Sequence, residues 1–251
     1  MKRSSTKAPR VAKAIDRSTN PRAKPFENLP PKTENQKYFV EALGDCKLVV
    51  AAGPAGTGKT LLGLHHAAKK LYYGRAKRIV LIRAYQPLAG RSIGFLPGEL
   101  EDKLTPYYKQ MLDYLEDFLG KAQVEIHRKK GEIEICSLET IRGRSWDDSV
   151  IVIDEAQNLF AEEVQALVTR VGESSQMIFL GDDSGIQTDI KNKQDGLSYL
   201  LGVIDKYDIP DTDFVRFDYD DILRSDVVKH FVIAFDKELQ EEKAKKKGVS
   251  K

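Results

Sequence analysis

One glycine-rich segment of eight residues has the types and spacing that specify a particular chemistry. It follows the pattern G-x-x-x-x-G-K-[ST], in which glycines let backbone N–H groups turn toward a bound phosphate. Lys59 would then reach the β- and γ-phosphate oxygens, and the Thr60 hydroxyl would ligate Mg²⁺. The spacing therefore predicts a nucleoside triphosphate site, with ATP and Mg²⁺ as ligands. Its residues are Gly53, Pro54, Ala55, Gly56, Thr57, Gly58, Lys59 and Thr60.

Two adjacent acids, Asp154 and Glu155, could complete this site from another part of the chain. They stand at the end of Ser149–Asp154, a hydrophobic strand candidate. In open parallel sheets, ligands bind outside the carboxyl ends of the strands. Asp154 would hold the Mg²⁺ shell opposite Thr60, and Glu155 would polarise the attacking water. The alternative is that both acids only cap the helix that begins near Ala161.

A sensor and a second cation are further requirements of triphosphate hydrolysis. Gln187 follows the apolar run Gln176–Gly181, and an amide in that place can read the γ-phosphate or orient the water. The transition-state charge requires a cation beyond Lys59 and Mg²⁺, and we predict that Arg224 supplies it. Each candidate arginine has a surface ion pair as its alternative. The candidates are Arg83, Arg142, Arg144 and Arg224.

Three stretches have residue types that are typical of nucleic-acid contacts, and each has a plainer alternative. Residues 1–24 contain eight basic side chains and one acid, so we expect a disordered basic arm over residues 1–30. The arm either contacts nucleic-acid phosphates or only aids solubility. Arg142 and Arg144 could bind a phosphate backbone while Trp146 stacks on a base. The loop Ala89–Gly98 either contacts a substrate or packs on the surface.

Strand-like and helix-like segments alternate between the two ends of the chain. This alternation predicts a doubly wound, mainly parallel α/β sheet with helices on both faces. In most strand candidates, both the odd and the even positions are apolar, as in strands buried between helix layers. They are Lys47–Ala52, Arg78–Ala84, Glu132–Leu138, Ser149–Asp154, Gln176–Gly181 and Asp213–Tyr219. The helix candidates are Thr33–Leu43, Thr60–Tyr73, Glu99–Leu119, Ala161–Val171, Lys193–Leu201 and Ser225–Glu242, the last with an apolar face of Val228, Phe231, Phe235 and Leu239.

The composition is typical of one globular domain. The 251 residues are 41% hydrophobic, and the formal net charge is +2. We find no apolar run long enough to cross a membrane and no secretory signal after the basic N-terminus. Cys46 and Cys136 fit buried thiols in a reducing compartment, so we expect a cytoplasmic protein without structural zinc. We expect a catalytic domain over residues 31–236 and a charged tail over residues 237–251.

The combined motifs resemble the PhoH family of phosphate-starvation-associated ATPases, which is similar to the first RecA-like core of superfamily 1 helicases. The resemblance spans roughly residues 30 to 236. The segments that carry it are Thr33–Gln36, Gly53–Thr60, Gly94–Gly98, Arg142–Arg144, Asp154–Asn158, Gly181–Asp182 with Gln187, and Asp226–His230. It implies Gln36 as a reader of adenine, Lys59 and Thr60 on phosphate and Mg²⁺, Asp154 and Glu155 as the Mg²⁺ and water pair, and Gln187 as the γ-phosphate sensor. The short chain with its own tails is typical of a compact stand-alone member, such as phages carry.

One core leaves several functions open. A helicase closes two such cores on one ATP, and the second core supplies an arginine. With motifs for one core, we expect a neighbouring copy to supply it, which predicts a ring-like homo-oligomer such as a hexamer. Our first interpretation is an ATPase coupled to RNA or single-stranded DNA. The alternatives are a non-motor ATP-dependent regulator and a P-loop kinase for a small molecule, and Glu155 beside Asp154 fits water activation better than a kinase.

Overall fold

A computed structural model of the chain describes residues 25–84, 100–141, 143–183 and 195–249. Within these residues, six parallel strands form one sheet with helices on both faces. The strands are β1 (Leu48–Ala52), β2 (Arg78–Arg83), β3 (Ile133–Cys136), β4 (Ser149–Asp154), β5 (Gln176–Gly181) and β6 (Thr212–Arg216). The helices are α1 (Glu34–Asp45), α2 (Lys59–Tyr72), α3 (Leu100–Leu119), α4 (Lys121–Lys129), α5 (Ala161–Val168), α6 (Gly196–Tyr207) and α7 (Asp226–Val249).

The strand order brings the chemically active segments to one edge of the sheet. The order is β3-β2-β4-β5-β1-β6, so β4 and β1 flank β5 near the middle. The last residue of β1, Ala52, lies opposite Gly181 at the end of β5. Arg83 at the end of β2 lies opposite Asp154 at the end of β4. The predicted parallel α/β sheet is therefore confirmed, and the predicted phosphate loop leaves it beside the predicted acids.

The core lies on both faces of the sheet, because the side chains of each central strand are buried on both faces. Val49 and Ala51 pack with α1, α2 and α3 on one face, and Val50 packs with α5 and α6 on the other. The largest fully buried side chains include Phe39 on the first face and Phe179 on the second. Two apolar layers thus hold the strand ends rigidly, as a site at those ends requires.

Several element boundaries differ from the predicted ones. β4 and β5 have the predicted bounds, but α5 ends at Val168, because Val171 instead forms an isolated bridge with Trp146. The helix α4 is not among the predicted elements, since the sequence pattern indicates Gly120 only as the end of α3. Gly120 has a positive φ of 86° and is instead a hinge between two consecutive helices.

The described residues include only part of each predicted chain end. The predicted basic arm includes residues 25–30, but Phe26 packs against α2, with its ring 5.1 Å from that of His65. The predicted C-terminal tail is helical up to Val249, where acidic and basic residues four positions apart favour a helix. Residues 1–24 and the loop Ala89–Gly98 lie outside the described residues. None of the described helices combines the length and the apolar character needed to span a bilayer.

The predicted apolar face of α7 does not pack into the core. Val228, Phe231 and Phe235 are 43%, 57% and 57% exposed, and Val227 beside them is 64% exposed. The rings of Phe231 and Phe235 contact each other with centroids 5.7 Å apart. This cluster of four side chains, the α7 apolar face, remains at the surface of the described structure.

Candidate functional site

A cavity of about 490 Å³ opens where the phosphate loop leaves β1. That volume lies within the range of known ligand pockets. The cavity is lined by five of the predicted site regions at once: the loop, the start of α2, the end of β4, the end of β5 and the segment before α7. Its lining residues are Lys32, Ala55, Gly56, Gly58, Lys59, Thr60, Leu61, Gln110, Tyr114, Asp154, Glu155, Gly181, Asp182, Leu223 and Arg224.

Two glycines of the phosphate loop leave no room for a side chain, because of their close neighbours as well as their backbone conformation. Gly56 and Gly58 have φ values of +86° and +85°, in the left-handed region that favours glycine. A Cβ at Gly56 would lie 2.7 Å from Cγ of Arg224, and one at Gly58 would lie 3.0 Å from Nε2 of Gln36. The loop is thus held between α1 on one side and the segment before α7 on the other.

The Lys59 ammonium folds back onto the loop that carries it. Its Nζ donates hydrogen bonds to the carbonyl oxygens of Gly53 and Pro54, both at 2.7 Å, and to Thr57 Oγ1 at 3.1 Å. Burial lowers the pKa of Lys59 to about 8, although the negative charge of Asp182 opposes this shift. Lys59 therefore lies in the cavity as a buried cation beside the loop amides, and it can exchange carbonyl oxygens for phosphate oxygens.

The first residues of α2 and the end of β4 meet at the floor of the cavity. Thr60 Oγ1 donates a hydrogen bond of 3.1 Å to Oδ1 of Asp154. Asp154 is 5% exposed, and burial, followed by the charge of Glu155, raises its pKa. A hydroxyl beside a buried carboxylate fits Mg²⁺, which is bound in such sites by one or two protein oxygens together with substrate phosphates and water. Thr60 and Asp154 would hold the ion, which would supply charge neutralisation of the phosphates.

The Glu155 carboxylate is bound through both of its oxygens. Arg83 Nη2 donates to Oε1 at 3.2 Å, and Gln157 Nε2 donates to Oε2 at 2.7 Å. The same guanidinium places its Nε 3.9 Å from Asp154 Oδ2. The backbone of Glu155 is left-handed, with φ of 56° and ψ of 39°, a conformation that is uncommon for residues other than glycine. Such strained residues cluster at functional sites.

Gln36 contacts the loop rather than open space. It is 3% exposed, its Nε2 donates to the Thr57 carbonyl at 2.9 Å, and its Oε1 accepts from the Lys32 N–H at 2.7 Å. Its amide is thus engaged at both ends by backbone, and it fixes the phosphate loop to the N-terminal side of α1. The adenine-reading role implied by the family resemblance stays a prediction.

Arg224 lines the cavity, while the other candidate arginines have different surroundings, and its predicted catalytic role stays a prediction. Arg224 is exposed and packs over the phosphate loop, and its neighbour Leu223 donates from its N–H to the Gly56 carbonyl at 3.1 Å. Arg144 forms the alternative surface ion pair, with Glu134. The predicted stacking role of Trp146 is wrong, because its indole is 2% exposed and packs in the core. Gln187 and Arg142 lie outside the described residues.

A buried carboxylate that the sequence reasoning missed organises the Arg224 segment. Asp221 is 3% exposed and accepts hydrogen bonds from the Thr33 hydroxyl, from Asn35 Nδ2 at 2.7 Å and from the Asp218 N–H at 2.8 Å. The contact with Thr33 joins residues 188 positions apart, so no local spacing could have indicated it. Gln157 lies in the motif segment Asp154–Asn158, but its bridge from Glu155 to the Asp182 N–H, at 3.0 Å, joins residues 25 positions apart.

Comparison with known proteins identifies the family. The family model described as "PhoH-like protein" matches residues 28–236, which is most of the chain. This chain belongs to the PhoH-like family. It is 37% identical over 207 residues to the PhoH-like protein of Bacillus subtilis, and the match covers 82% of this chain and 64% of that protein. For Protein PhoH of Escherichia coli the identity is 30%, with 81% of this chain and 57% of that protein covered.

The relatives are longer than this chain. It spans 64%, 58% and 67% of the PhoH-like proteins of Bacillus subtilis, Mycobacterium tuberculosis and Synechocystis, with identities of 37%, 35% and 30%. Among solved structures, the large terminase of a thermophilic bacteriophage in complex with ADP has 13% identity and a TM-score of 0.45, and the likeness covers 80% of this chain and 49% of that one. Assignment to the PhoH-like family therefore rests on the sequence matches.

Proposed function

We propose that this chain binds ATP with Mg²⁺ and hydrolyses the terminal phosphate. The observation that carries the proposal is the contact between Thr60 and Asp154 at the floor of a cavity that also holds Lys59 and Glu155. These four side chains come from the loop, α2 and the end of β4, and they supply a phosphate cation, two Mg²⁺ ligands and a carboxylate base. Triphosphate hydrolysis requires these parts together.

The proposed reaction assigns one task to each group. Lys59 and the loop N–H groups bind the phosphates and orient the γ-phosphorus. Glu155 accepts a proton from the water whose oxygen attacks that phosphorus, and the bond to the oxygen bridging the β- and γ-phosphates breaks. The products are ADP and inorganic phosphate. Arg224 balances charge that develops on the phosphate oxygens.

A matched pair of measurements tests hydrolysis. Replacement of Glu155 by Gln keeps size and polarity but removes the base, so we expect a loss of turnover of about 10²-fold or more with nucleotide affinity retained. Phosphate release gives the rate, and titration of a fluorescent ADP analogue gives the affinity. A Glu155→Gln variant as fast as the wild type would remove Glu155 from the reaction. Transfer of the phosphate to an added acceptor would favour a kinase.

We further propose that hydrolysis is coupled to RNA or single-stranded DNA. Support comes from the family resemblance to a helicase core and from the basic residues 1–24. The test is the hydrolysis rate with and without single-stranded RNA and DNA at two salt concentrations. Coupling predicts stimulation that weakens as salt rises, because contacts with phosphates release counterions. A rate indifferent to both polymers favours a non-motor ATP-dependent regulator.

We also propose that copies of the chain associate into a homo-oligomer. Support comes from the α7 apolar face, which is contiguous in sequence with Leu223 and Arg224 in the cavity wall. Large exposed apolar clusters mark association surfaces. A neighbouring copy docked there would lie beside the cavity and could contribute a group to it, as in a head-to-tail ring.

A further inference from the structure

The carboxylate that the reaction needs as a base is already engaged in the structure. Glu155 Oε1 accepts from Arg83 at 3.2 Å and Oε2 accepts from Gln157 at 2.7 Å. A general base must lie within hydrogen-bond reach of the water it activates, so its side chain must be free to turn toward that water. In the described structure, each oxygen of Glu155 is aimed at a protein donor.

Arg83 is placed to restrain both acids from one side. It is the last residue of β2, and the β2–β4 register sets it directly opposite Asp154. Its Nη1 donates to the Tyr107 carbonyl on α3 at 2.8 Å, so one side of the guanidinium is anchored while the other side faces the carboxylates. Its side chain is 20% exposed, and that of Glu155 is 31% exposed. Partial burial reduces solvent screening of the pair.

The charges of Asp154, Glu155 and Arg83 account for the position of the guanidinium beside the two acids. Two adjacent carboxylates at the end of one strand repel each other, and within the described part of the chain no other lysine or arginine forms an ion pair with either of them. The guanidinium fork can meet two acceptors at once, which a lysine cannot do equally well. Arg83 therefore compensates part of the charge of both acids by direct contact, in addition to the longer-range attraction of Lys59. The same contact neutralises part of the negative charge of Glu155 and holds its carboxylate in one orientation.

We propose that Arg83 is a positioning residue that restrains Glu155 in the resting protein, so that water activation requires the Arg83–Glu155 contact to open. The inference rests on the proposed ATP hydrolysis. It assigns Arg83 an inhibitory effect that it exerts through Glu155. This role is opposite to that of an arginine that stabilises the transition state, and the two roles predict rate changes of opposite sign on removal of the guanidinium.

The test is steady-state ATP hydrolysis at saturating Mg²⁺ and ATP for Arg83→Gln. Restraint predicts a rise in kcat, on the order of fivefold, with KM for ATP unchanged. The reason is that the variant removes a weak ion pair that would otherwise have to open before Glu155 can act. The double variant Arg83→Gln with Glu155→Gln should lose the rise. Arg78→Gln is the matched control, since Arg78 lies on the same strand but pairs with Glu134 at 3.6 Å away from the site.

Each outcome decides the proposal. An unchanged or lower kcat in Arg83→Gln, with thermal unfolding and fluorescent ADP binding like those of the wild type, overturns the restraint and leaves the proposed hydrolysis standing. If neither the wild type nor Arg83→Gln hydrolyses ATP, the proposed hydrolysis and the proposed restraint both fail. Glu155 is released in Arg83→Gln and should then activate water. Should Arg83→Gln fold poorly, Arg83→Lys keeps the charge but loses the fork, and restraint predicts a smaller rise in kcat for it.

Discussion

Lys59 is the residue whose ionisation should control nucleotide affinity. Its pKa of about 8, lowered by burial, means that the ammonium loses its proton within an accessible pH range. Phosphate binds the charged form, so bound nucleotide raises this pKa, and binding takes up a proton above about pH 8. We expect affinity to be full below pH 8 and about tenfold weaker at pH 9 than at pH 7. Titration of a fluorescent ADP analogue at fixed free Mg²⁺ measures it.

A variant with a permanent charge provides the control for that pH dependence. Lys59→Arg keeps a cation that does not titrate below about pH 12, so its affinity should be weaker but nearly constant from pH 7 to 9. Equal slopes in the wild type and in Lys59→Arg would assign the proton uptake to another group. Lys59→Arg keeps the positive charge but changes how well the side chain fits the phosphate. The comparison therefore separates the effect of charge on nucleotide affinity from the effect of fit.

The residues that line the candidate site were predictable from the sequence where they are contiguous in the chain. The phosphate loop and the Asp154-Glu155 pair are contiguous, and their spacing alone specifies what they can bind. The partners of these residues were not predictable. Arg83 meets Glu155 across 72 positions of sequence, and Gln36 meets Thr57 across 21. Such contacts depend on strand register and on how α1 packs, which a single sequence does not encode in any short spacing.

At the scale of elements, Asp221 joins the start of α1 to the segment that carries Arg224. Its side chain is buried and accepts from Thr33, from Asn35 and from the Asp218 N–H. Asp221→Ala would leave these donors without their partner. We expect the free energy of unfolding to fall by about 1–3 kcal/mol. We also expect weaker nucleotide binding, because Leu223 and Arg224 would lose their anchor beside Gly56. Urea denaturation and nucleotide titration measure the two effects.

The neighbouring acid is a stringent control for Asp221. Asp220 pairs with Lys229 at 3.1 Å, but its side chain is 96% exposed. Exposed ion pairs contribute little, so Asp220→Ala should change the free energy of unfolding by less than about 0.5 kcal/mol and leave nucleotide affinity unchanged. If both alanine variants unfold alike, the Asp221 network is not a structural link between α1 and the Arg224 segment.

The elements themselves were largely predictable, because buried parallel strands have continuous apolar runs and the helices between them have a helical period. Prediction failed where a local signal has two meanings. Gly120 ends one helix and begins another, and the apolar spacing of α7 indicates a buried face that the described structure leaves exposed. Helical periodicity identifies an apolar face but does not specify what covers it.

At the scale of the whole molecule, the α7 apolar face is the proposed oligomer contact, and it follows closely in sequence on Leu223 and Arg224, which line the cavity. We expect Phe231→Glu to prevent association, because burying an unpaired carboxylate in an apolar contact is costly. Light scattering across a concentration series should give a monomer for Phe231→Glu and larger particles for the wild type. Ile126→Glu is the control, since Ile126 is also exposed, at 42%, but lies on α4.

The hydrolysis rate of the same variant then decides where the arginine comes from. Arg224 of the same chain already lies in the cavity wall, packed over Gly56. If Arg224 suffices, a monomeric Phe231→Glu protein keeps the wild-type kcat, and Arg224→Ala lowers the rate in any assembly state. If a neighbouring copy completes the site, Phe231→Glu loses activity in proportion to its dissociation. The wild type then loses activity on dilution and regains it at high protein concentration. A wild type that is monomeric and fully active at every concentration would contradict the ring and leave the single core as the complete catalytic unit.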